Sequence, residues 1–313
     1  MSKRGKHKSP FGFKLGAGNR WRMECEGEKS MADSRSKRLT RTQIMQRKKR
    51  IEELLRSAYS SDKDHLSHFP NFRHYNANGL SLFLESGRGN KLSYDLKNYI
   101  QKLLKVNMEG PYGAEWPTEE KVKRREMSSP EALYIFVYNK ESMIGFVQYR
   151  FTIEEEIPVL YVYELQLEPA YQGKGLGKFL MQLVELIACN NGMGAVVLTV
   201  QKRNTSAINF YLNKLRYDIS SISPSKIYQL MGVIGQEKSY EILCKTFDHE
   251  AKAVLEASFS KSSKQRGGDK MVGLHNNGLT QDNLFVFVNH CVVSCSGIMT
   301  HDYQRSRLKA KVS

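Results

Sequence analysis

Residues 164–180 read ELQLEPAYQGKGLGKFL and place three glycines and two lysines in one short loop. Before the loop, VLYVYELQL (159–167) is apolar and aromatic enough to form a strand, which Pro169 ends because proline cannot donate to a sheet. After the loop, KFLMQLVELIACNNG (178–192) places its apolar residues at helical spacing. A glycine loop between a strand and a helix is typical of a phosphate site, since backbone N–H groups at a helix N-terminus attract anions.

Two common phosphate motifs do not fit this loop. A P-loop would need glycine at Gln172 and Ser or Thr at Phe179. A dinucleotide fingerprint would need glycine at Lys178. What remains is the pattern Gln/Arg-x-x-Gly-x-Gly/Ala, spelled QGKGLG over residues 172–177. A glycine-rich turn without a ligand is the alternative reading of this stretch.

A second stretch supports the ligand-binding interpretation. NTSAINFYLNKLRY (204–217) carries the pattern Asn-x-x-Ala-x-x-Phe-Tyr, and it follows the loop after a predicted helix and strand. Together the two patterns resemble those of the GNAT acetyltransferase superfamily. The resemblance implies that acetyl-CoA binds with its pyrophosphate on the glycine loop. It also implies that Asn204 contacts the cofactor and that Tyr211 protonates the departing thiolate.

The apolar pattern along the rest of the chain predicts an α/β (α+β) fold. Helices are predicted from near Thr40 and over 93–108, 118–127, 178–192 and 205–215, with strands at ALYIFVY, MIGFVQYRF, 159–167, 195–200 and 240–247. The polar turn NKES makes a hairpin of the first two strands. This order indicates a mixed sheet with helices on its faces. The resemblance implies that it is the GNAT fold, with a mixed, mostly antiparallel central sheet flanked by helices.

Three longer stretches narrow the resemblance. LYVYELQLEPAYQGKGLGKFL, VLTVQKRN and KVNMEGPYGAEW resemble the NatD-type N-terminal acetyltransferases of histones, and the similarity covers about residues 59–248. It implies acetylation of the N-terminal serine of histones that begin Ser-Gly-Arg-Gly, the histone-four and histone-two-A types. Histone N-terminal tails are then the expected partners, and the nucleus and cytoplasm the expected locations.

The resemblance also assigns roles to single residues. Glu164 corresponds to the general base, and Glu154 to an acidic residue that meets the basic tail. The aromatic walls of the peptide site correspond to Tyr112, Trp116, Tyr161 and Tyr163. The contacts to acetyl-CoA correspond to Leu165, Gln166, Leu167, Gln172, Gly173, Lys174, Gly175, Leu176, Gly177, Lys178 and Asn204.

The sequence departs from the family pattern at two positions and leaves alternatives open at others. Thr152 stands where the pattern has aspartate, and Tyr211 where another member has phenylalanine. Glu164 lies in a largely apolar strand, so a paired structural carboxylate is the alternative to a base. Tyr161 and Tyr163 alternate with apolar neighbours, and one face of that strand must be core.

Two other functions fit the same patterns. One is a GNAT-fold acetyltransferase that acts on lysine or on a small amine. The other is a non-catalytic, chromatin-binding module that has kept the fold and lost turnover. A lysine acetyltransferase would still modify a peptide whose N-terminus is blocked, which distinguishes it from an N-terminal enzyme. Measured turnover with acetyl-CoA distinguishes an enzyme from a binding module.

Charge is concentrated at the two ends of the chain. The formal net charge is +16, and Lys+Arg against Asp+Glu number 17 and 6 in residues 1–58, 22 and 21 in 59–248, and 9 and 5 in 249–313. We therefore predict a basic N-terminal tail that ends in a helix (1–58), a GNAT acetyltransferase domain (59–248) and a basic, disordered C-terminal tail (249–313). Such tails attract nucleic acid or chromatin weakly and without sequence preference.

Metal, disulfide and membrane classes are not favoured. The five cysteines are scattered and odd in number, which argues for a reducing compartment. His290, Cys291, Cys295 and His301 match no standard zinc spacing, so no metal is expected. No long apolar span or leader is evident in the sequence, and we expect no membrane partner.

Overall fold

The computed structural model describes residues 12–16, 20–24, 40–60, 63–231 and 238–256 of the 313-residue chain. The chain divides into two compact units, residues 1–48 and 49–313. In the first unit, strands β1 (Gly12–Gly16) and β2 (Arg20–Glu24) pair antiparallel. The sequence pattern over residues 1–38 gave no sign of these strands, because their alternation of side chains is too short to stand out.

The second unit holds most of the helices and strands. They are α1 (Arg41–Ala58, which begins in the first unit), β3 (His74–Ala77), β4 (Leu80–Arg88), α2 (Tyr94–Tyr112), α3 (Trp116–Met127), β5 (Leu133–Asn139), β6 (Ser142–Glu154), β7 (Ile157–Leu167), α4 (Leu176–Asn190), β8 (Ala195–Gln201), α5 (Thr205–Asn209), β9 (Asp218–Ile219), α6 (Pro224–Met231), β10 (Tyr240–Thr246) and α7 (His249–Leu255). A single π-helical turn, Phe210–Lys214, continues α5. Within the described residues no helix combines the length and the apolar character needed to cross a membrane.

Eight of these strands form one sheet in the order β3-β4-β5-β6-β7-β8-β10-β9. Every neighbouring pair is antiparallel except β7 and β8, which are parallel. The predicted mixed, mostly antiparallel sheet flanked by helices is confirmed. The parallel pairing joins only Val159–Val162 to Ala195–Leu198, although both strands continue further. The two strands therefore separate beyond Val162, and a cleft opens between their carboxyl ends.

A β-bulge in β7 changes which way its side chains point. Tyr149 of β6 pairs with Val162, and its neighbour Gln148 pairs with Glu164, so Tyr163 is an extra residue. Before the bulge, Leu160 and Val162 belong to one hydrophobic core; after it, Leu165 and Leu167 do. Successive strand residues face opposite sides. Because the bulge shifts this alternation by one, Glu164 points away from that core and not into it.

The two faces of the sheet are covered by different helices. In β5, Leu133, Ile135 and Val137 pack in the core beneath α1 and α4. The alternate residues Tyr134 and Phe136 pack in the core beneath α2 and α3. Burying one large apolar side chain contributes about 1.5–3 kcal/mol. Both helical layers are thus fixed against the sheet, and α3 is held over the face to which the bulge turns Glu164.

Helix α7 extends the ordered domain beyond the boundary predicted at residue 248. The side chain of Asp248 caps the helix by accepting a hydrogen bond from the Ala251 N–H at 2.7 Å. Ala251 and Leu255 are fully buried in a third apolar cluster on the sheet. The predicted C-terminal tail is therefore wrong for 249–256, because these apolar side chains dock on β7 and β10; residues 257–313 lie outside the described part.

Candidate active site

The glycine loop has the geometry that an anion site needs. Gly173 and Gly175 adopt φ angles of +71° and +81°, which residues other than glycine rarely adopt. Gly175 is the N-cap of α4, and no side chain caps the helix there. A Cβ atom at Gly173 would meet nothing within 4 Å. The first N–H groups of α4 are thus left for an anion such as a pyrophosphate, and the residues present fit that group.

Long-range contacts hold this loop in place. The Tyr75 hydroxyl donates to the carbonyl oxygen of Lys174 at 2.6 Å, and Asn78 Nδ2 donates to the same oxygen at 2.9 Å. From within the loop, Gln172 Nε2 donates to the carbonyl oxygen of Leu167 at 3.0 Å. Sequence reasoning missed Tyr75 and Asn78, since nothing in the pattern links β3 to a loop about a hundred residues later.

A cleft opens where β7 and β8 separate, with walls from α2, α3 and α5. Of the residues predicted for the site, the structure brings together in its lining Tyr112, Tyr161, Tyr163, Glu164, Leu165, Gln166, Asn204 and Tyr211. Four charged side chains line it: Glu119, Lys123, Glu126 and Glu164. Three carboxylates against one ammonium make this a net-negative cleft.

Glu164 is buried and fully engaged. Its side chain is 6% exposed. Oε1 is in contact with the Lys123 ammonium, and Oε2 accepts a hydrogen bond from Gln166 Nε2 at 2.9 Å. The structure therefore satisfies part of the alternative reading, a paired carboxylate, while it places Glu164 in the cleft where a base would act.

Lys123 is the main site residue that sequence reasoning missed. It lies on α3 with a side chain only 12% exposed, and its Nζ is 5.3 Å from the centre of the Tyr112 ring. Burial by itself lowers the pKa of this amine, but the charge of Glu164, together with that of Glu126 and the hydrogen bond to Glu164, outweighs burial and raises the pKa above its usual range. In the sequence, KVKRREM (121–127) reads as a solvated basic helix, and only tertiary packing singles out its second lysine.

The other two carboxylates of the cleft lie on the same helix, one turn to either side of Lys123. Burial raises the pKa of Glu119, and Lys123 partly offsets the effect. Burial likewise raises the pKa of Glu126, with Lys123 and Arg150 acting in the opposite direction. A further positive charge in the cleft would stabilise the charged form of both carboxylates.

A hydrogen-bonded chain links α2 to the end of β7. Asn107 Nδ2 donates to Gln166 Oε1 at 2.9 Å and to the carbonyl oxygen of Leu167 at 3.0 Å. Gln166 in turn donates to Glu164. The carboxylate is thereby oriented from both sides, by Gln166 and by Lys123. Asn107 lies in the stretch KVNMEGPYGAEW, but the sequence assigned no role to it.

The aromatic walls are fixed by polar contacts. The hydroxyls of Tyr161 and Thr199 are 2.5 Å apart, which ties β7 to β8 at the mouth of the cleft. The guanidinium of Arg150 lies 4.5 Å from the centre of the Tyr163 ring. Burial, opposed by Arg150, raises the pKa of Tyr163 to about 12. At neutral pH Tyr163 is therefore an uncharged wall.

Asn204 and Tyr211 lie on the third wall. Asn204 caps α5, where its Oδ1 accepts from the Ala207 N–H at 3.1 Å. Tyr211, in the π-helical turn, is 8% exposed and packs edge-on against Phe210 and Tyr217. Burial and then the charge of Glu164 raise the pKa of Tyr211 above its ordinary value, so its hydroxyl keeps its proton at neutral pH.

Some predicted residues lie elsewhere. Trp116 is 3% exposed and belongs to the core beneath α2 and α3, where its ring meets Tyr112 with centres 5.9 Å apart. Leu167 is also core. Glu154 lies at the end of β6, before the turn into β7, and not in the lining of the cleft. Burial, with Glu155 adding to it, raises the pKa of Glu154 to about 7.

Comparison with known proteins identifies the class. Residues 98–215 match the model of the acetyltransferase (GNAT) family. Over this segment the chain is similar to that family, and the predicted GNAT fold is confirmed. This family uses acetyl-CoA as acetyl donor, so that prediction is confirmed at the level of the family.

Similar folds occur among solved structures. The PaiA N-acetyltransferase of Thermoplasma acidophilum, in complex with coenzyme A, is 19% identical with a TM-score of 0.38, over 52% of this chain and 99% of that one. Arabidopsis thaliana Naa50, in complex with the bisubstrate analogue CoA-Ac-MVNAL, is 20% identical with a TM-score of 0.36, over 52% and 99%. The NatC complex bound to Gag peptide and CoA is 14% identical with a TM-score of 0.36, over 53% of this chain and 99% of that one. At these identities and TM-scores the likeness says nothing about what this chain acts on.

No metal centre is found in the part of the chain that the structure describes, where no group of three or more His, Cys, Asp or Glu could hold an ion. His290, Cys291, Cys295 and His301 lie outside the described residues.

Proposed function

We propose that this protein is an N-terminal α-amine acetyltransferase for basic peptides that begin Ser-Gly-Arg-Gly, as histones four and two-A do. The observation that carries the proposal is Glu164, a buried carboxylate at the point where β7 and β8 separate, in a cleft with net negative charge. A cleft of this charge attracts a peptide that bears an α-ammonium and an arginine.

Glu164 is the proposed general base. An α-amine has an unperturbed pKa of about 8, against about 10.4 for a lysine amine, so a carboxylate suffices to take its proton at neutral pH. Gln166 and Lys123 orient the Glu164 oxygens from either side. This arrangement supports a role in proton transfer, either direct or through one water.

The glycine loop is the proposed site for the acetyl donor. Acetyl-CoA supplies the acetyl group as a thioester when it binds. The open N-terminus of α4 and the side chains of Lys174 and Lys178, both exposed, would hold its pyrophosphate. Where β7 leaves β8, the backbone N–H groups near Leu165 and Leu167 can orient the donor. Tyr211, which keeps its proton, is the proposed donor of a proton to the departing sulfur.

The aromatic walls and the acidic positions are proposed to select the peptide. Tyr112, Tyr161 and Tyr163 line the cleft beside Glu164 and would confine a small first residue. Glu154 would meet a basic residue further along the peptide. Trp116 would act only through Tyr112, against which it packs.

Histone N-terminal tails are accordingly the proposed partners, and the nucleus and cytoplasm the proposed locations. The excess of basic over acidic residues at both ends of the chain supports weak contact with nucleic acid or chromatin. The two rival functions, a lysine or small-amine acetyltransferase and a non-catalytic binding module, are outcomes of the test.

Mass spectrometry of a library of N-terminal peptides incubated with acetyl-CoA tests the proposal. Each peptide is paired with a copy whose N-terminus is blocked. We expect acetylation of Ser-Gly-Arg-Gly peptides at the α-amine and none in the blocked copies. Modification of blocked peptides at lysine would establish the first rival, and binding without turnover on any peptide or amine the second.

A further inference from the structure

The Lys123–Glu164 ion pair lies where the proposed reaction needs an empty position. Both partners line the cleft, and both oxygens of Glu164 already have a donor, Lys123 on Oε1 and Gln166 on Oε2. A substrate amine that is to give its proton to Glu164 must approach this carboxylate. In the state described here, a primary ammonium of the protein itself holds that place.

Lys123 also has other partners within reach of its helix. Glu119 and Glu126 are four residues before and three residues after it on α3, which places them on the same helix face. Both line the cleft and interact electrostatically with Lys123. An ammonium that leaves Glu164 can thus move along its own helix to another carboxylate, so that it is never stranded without a counter-charge.

We propose that Lys123 is a built-in stand-in for the substrate: it neutralises Glu164 in the free enzyme and is displaced towards Glu119 or Glu126 when the α-ammonium of the peptide enters. The inference rests on the proposed function and adds to it a competition between two primary ammonium groups for one carboxylate. Lys123 is a positioning residue in this scheme, since it need not touch the reacting atoms while the reaction proceeds.

The consequence is a difference in sign between two substitutions. Lys123→Met removes the competitor, so Glu164 binds a free peptide amine more tightly. Lys123→Arg keeps the charge but offers a planar group that can engage a carboxylate through two parallel hydrogen bonds, so displacement becomes harder. A fixed structural role for Lys123 predicts the opposite order, with arginine close to wild type and methionine impaired.

The experiment is titration calorimetry of a Ser-Gly-Arg-Gly peptide into the full chain with coenzyme A present, so that no turnover occurs. We expect the dissociation constant to fall about tenfold for Lys123→Met and to rise about tenfold for Lys123→Arg, which is the size of effect that close charge pairs give at interfaces. The same peptide with an acetylated N-terminus carries no ammonium, and its affinity should hardly change in either variant. Lys121→Met, an exposed lysine on the same helix, is the matched control.

The outcomes separate the two proposals. If wild type binds neither form of the peptide although coenzyme A binds, the proposed function fails and this inference falls with it. If wild type binds the free peptide but both substitutions weaken binding, or arginine restores what methionine loses, only the exchange of ammonium groups is overturned. Should Lys123→Met fail to fold, the sign of the Lys123→Arg effect and its dependence on the free N-terminus still decide.

Discussion

The glycine loop and the cleft beside it are built in different ways. Residues 172–178 form their site with backbone N–H groups, two glycines with positive φ and the end of a helix. The cleft is made of side chains from α2, α3, α5, β7 and β8, brought together over about a hundred residues of chain. A site made of backbone groups is specified by consecutive residues, whereas a site made of side chains depends on how distant elements pack.

The bulge at Tyr163 shows how much the cleft owes to packing. With regular alternation, Glu164 would share the face of Leu160 and Val162 and would point into the core. One inserted residue turns it towards α3, where Lys123 meets it. Deletion of one residue from this strand would therefore disrupt the cleft severely and leave the sequence of the glycine loop intact.

The largest expected effect is that of Glu164→Gln, which tests the cleft. This variant keeps the shape of the side chain and most hydrogen bonds but removes the base. We expect the turnover number on a Ser-Gly-Arg-Gly peptide to fall by about two to four orders of magnitude at neutral pH. Affinity for acetyl-CoA should barely change, because a different region holds the phosphates. The deficit should shrink above the pKa of the amine, about 8, where the neutral nucleophile is already present.

A pH–rate profile with melting temperatures decides this prediction. Glu141→Gln, at an exposed hairpin position, is the control for loss of a carboxylate. A lowered melting temperature with a rate deficit that is the same at every pH would mean that Glu164 is a structural carboxylate. That result would leave the acetyl-CoA site untouched.

The second effect is that of Gly175→Glu, which tests the loop. A side chain here meets the Tyr75 hydroxyl at 2.9 Å, is strained by the positive φ and brings negative charge to an anion site. We expect calorimetry to show at least about a hundredfold loss of acetyl-CoA affinity, since the pyrophosphate contacts are removed. Gly110→Glu, where an added Cβ meets nothing within 4 Å, is the matched control. Near-normal affinity in a folded Gly175→Glu protein would refute the loop assignment.

The same contrast explains what could be predicted from the sequence. The strand–loop–helix around Gly175, the apolar stripe of α4 and the antiparallel hairpin of β5 and β6 follow from local periodicity, and all are present. The short strand β3, the bulge at Tyr163 and the partnership of Lys123 with Glu164 depend on contacts between distant residues. They leave no periodic trace, because a polar helix face looks the same whether it meets solvent or a buried carboxylate.

A smaller effect is expected at Glu154, which the resemblance assigns to the peptide but which lies outside the cleft. Its pKa, raised by burial to about 7 from an ordinary 4.5, means that the native state binds more protons than the unfolded state between these values. The free energy of unfolding therefore falls as pH rises through this window. Glu154→Gln should remove this loss and gain about 1–3 kcal/mol relative to wild type between pH 4.5 and pH 8.

Denaturant unfolding at several pH values measures the Glu154 effect, with Glu141→Gln as control. Parallel curves for wild type and Glu154→Gln would contradict the burial of this carboxyl group. If stability responds as expected but the Michaelis constant for the basic peptide does not change, the cleft alone selects the substrate.

The smallest effect is expected for Tyr75→Phe, which asks whether the glycine loop is as self-sufficient as its sequence suggests. The change deletes one hydroxyl that donates to the Lys174 carbonyl oxygen and keeps the ring, which packs edge-on against Phe179. Asn78 still donates to the same oxygen, so the loop loses one of two supports. A hydrogen bond of this kind contributes about 0.5–1.5 kcal/mol, which corresponds to a rise of about two- to twelvefold in the dissociation constant for acetyl-CoA. Peptide affinity measured with coenzyme A at saturation should not change, because Tyr75 contributes nothing to the cleft lining.

Tyr94→Phe, at a tyrosine that is 78% exposed, controls for loss of a hydroxyl. If Tyr75→Phe leaves cofactor affinity at the wild-type value, the backbone of residues 172–178 holds its conformation alone, and the loop is a site that local sequence specifies completely. If affinity falls as expected, even the glycine loop, which is predicted best from the sequence, depends on a strand about a hundred residues away. Its contrast with the cleft is then one of degree.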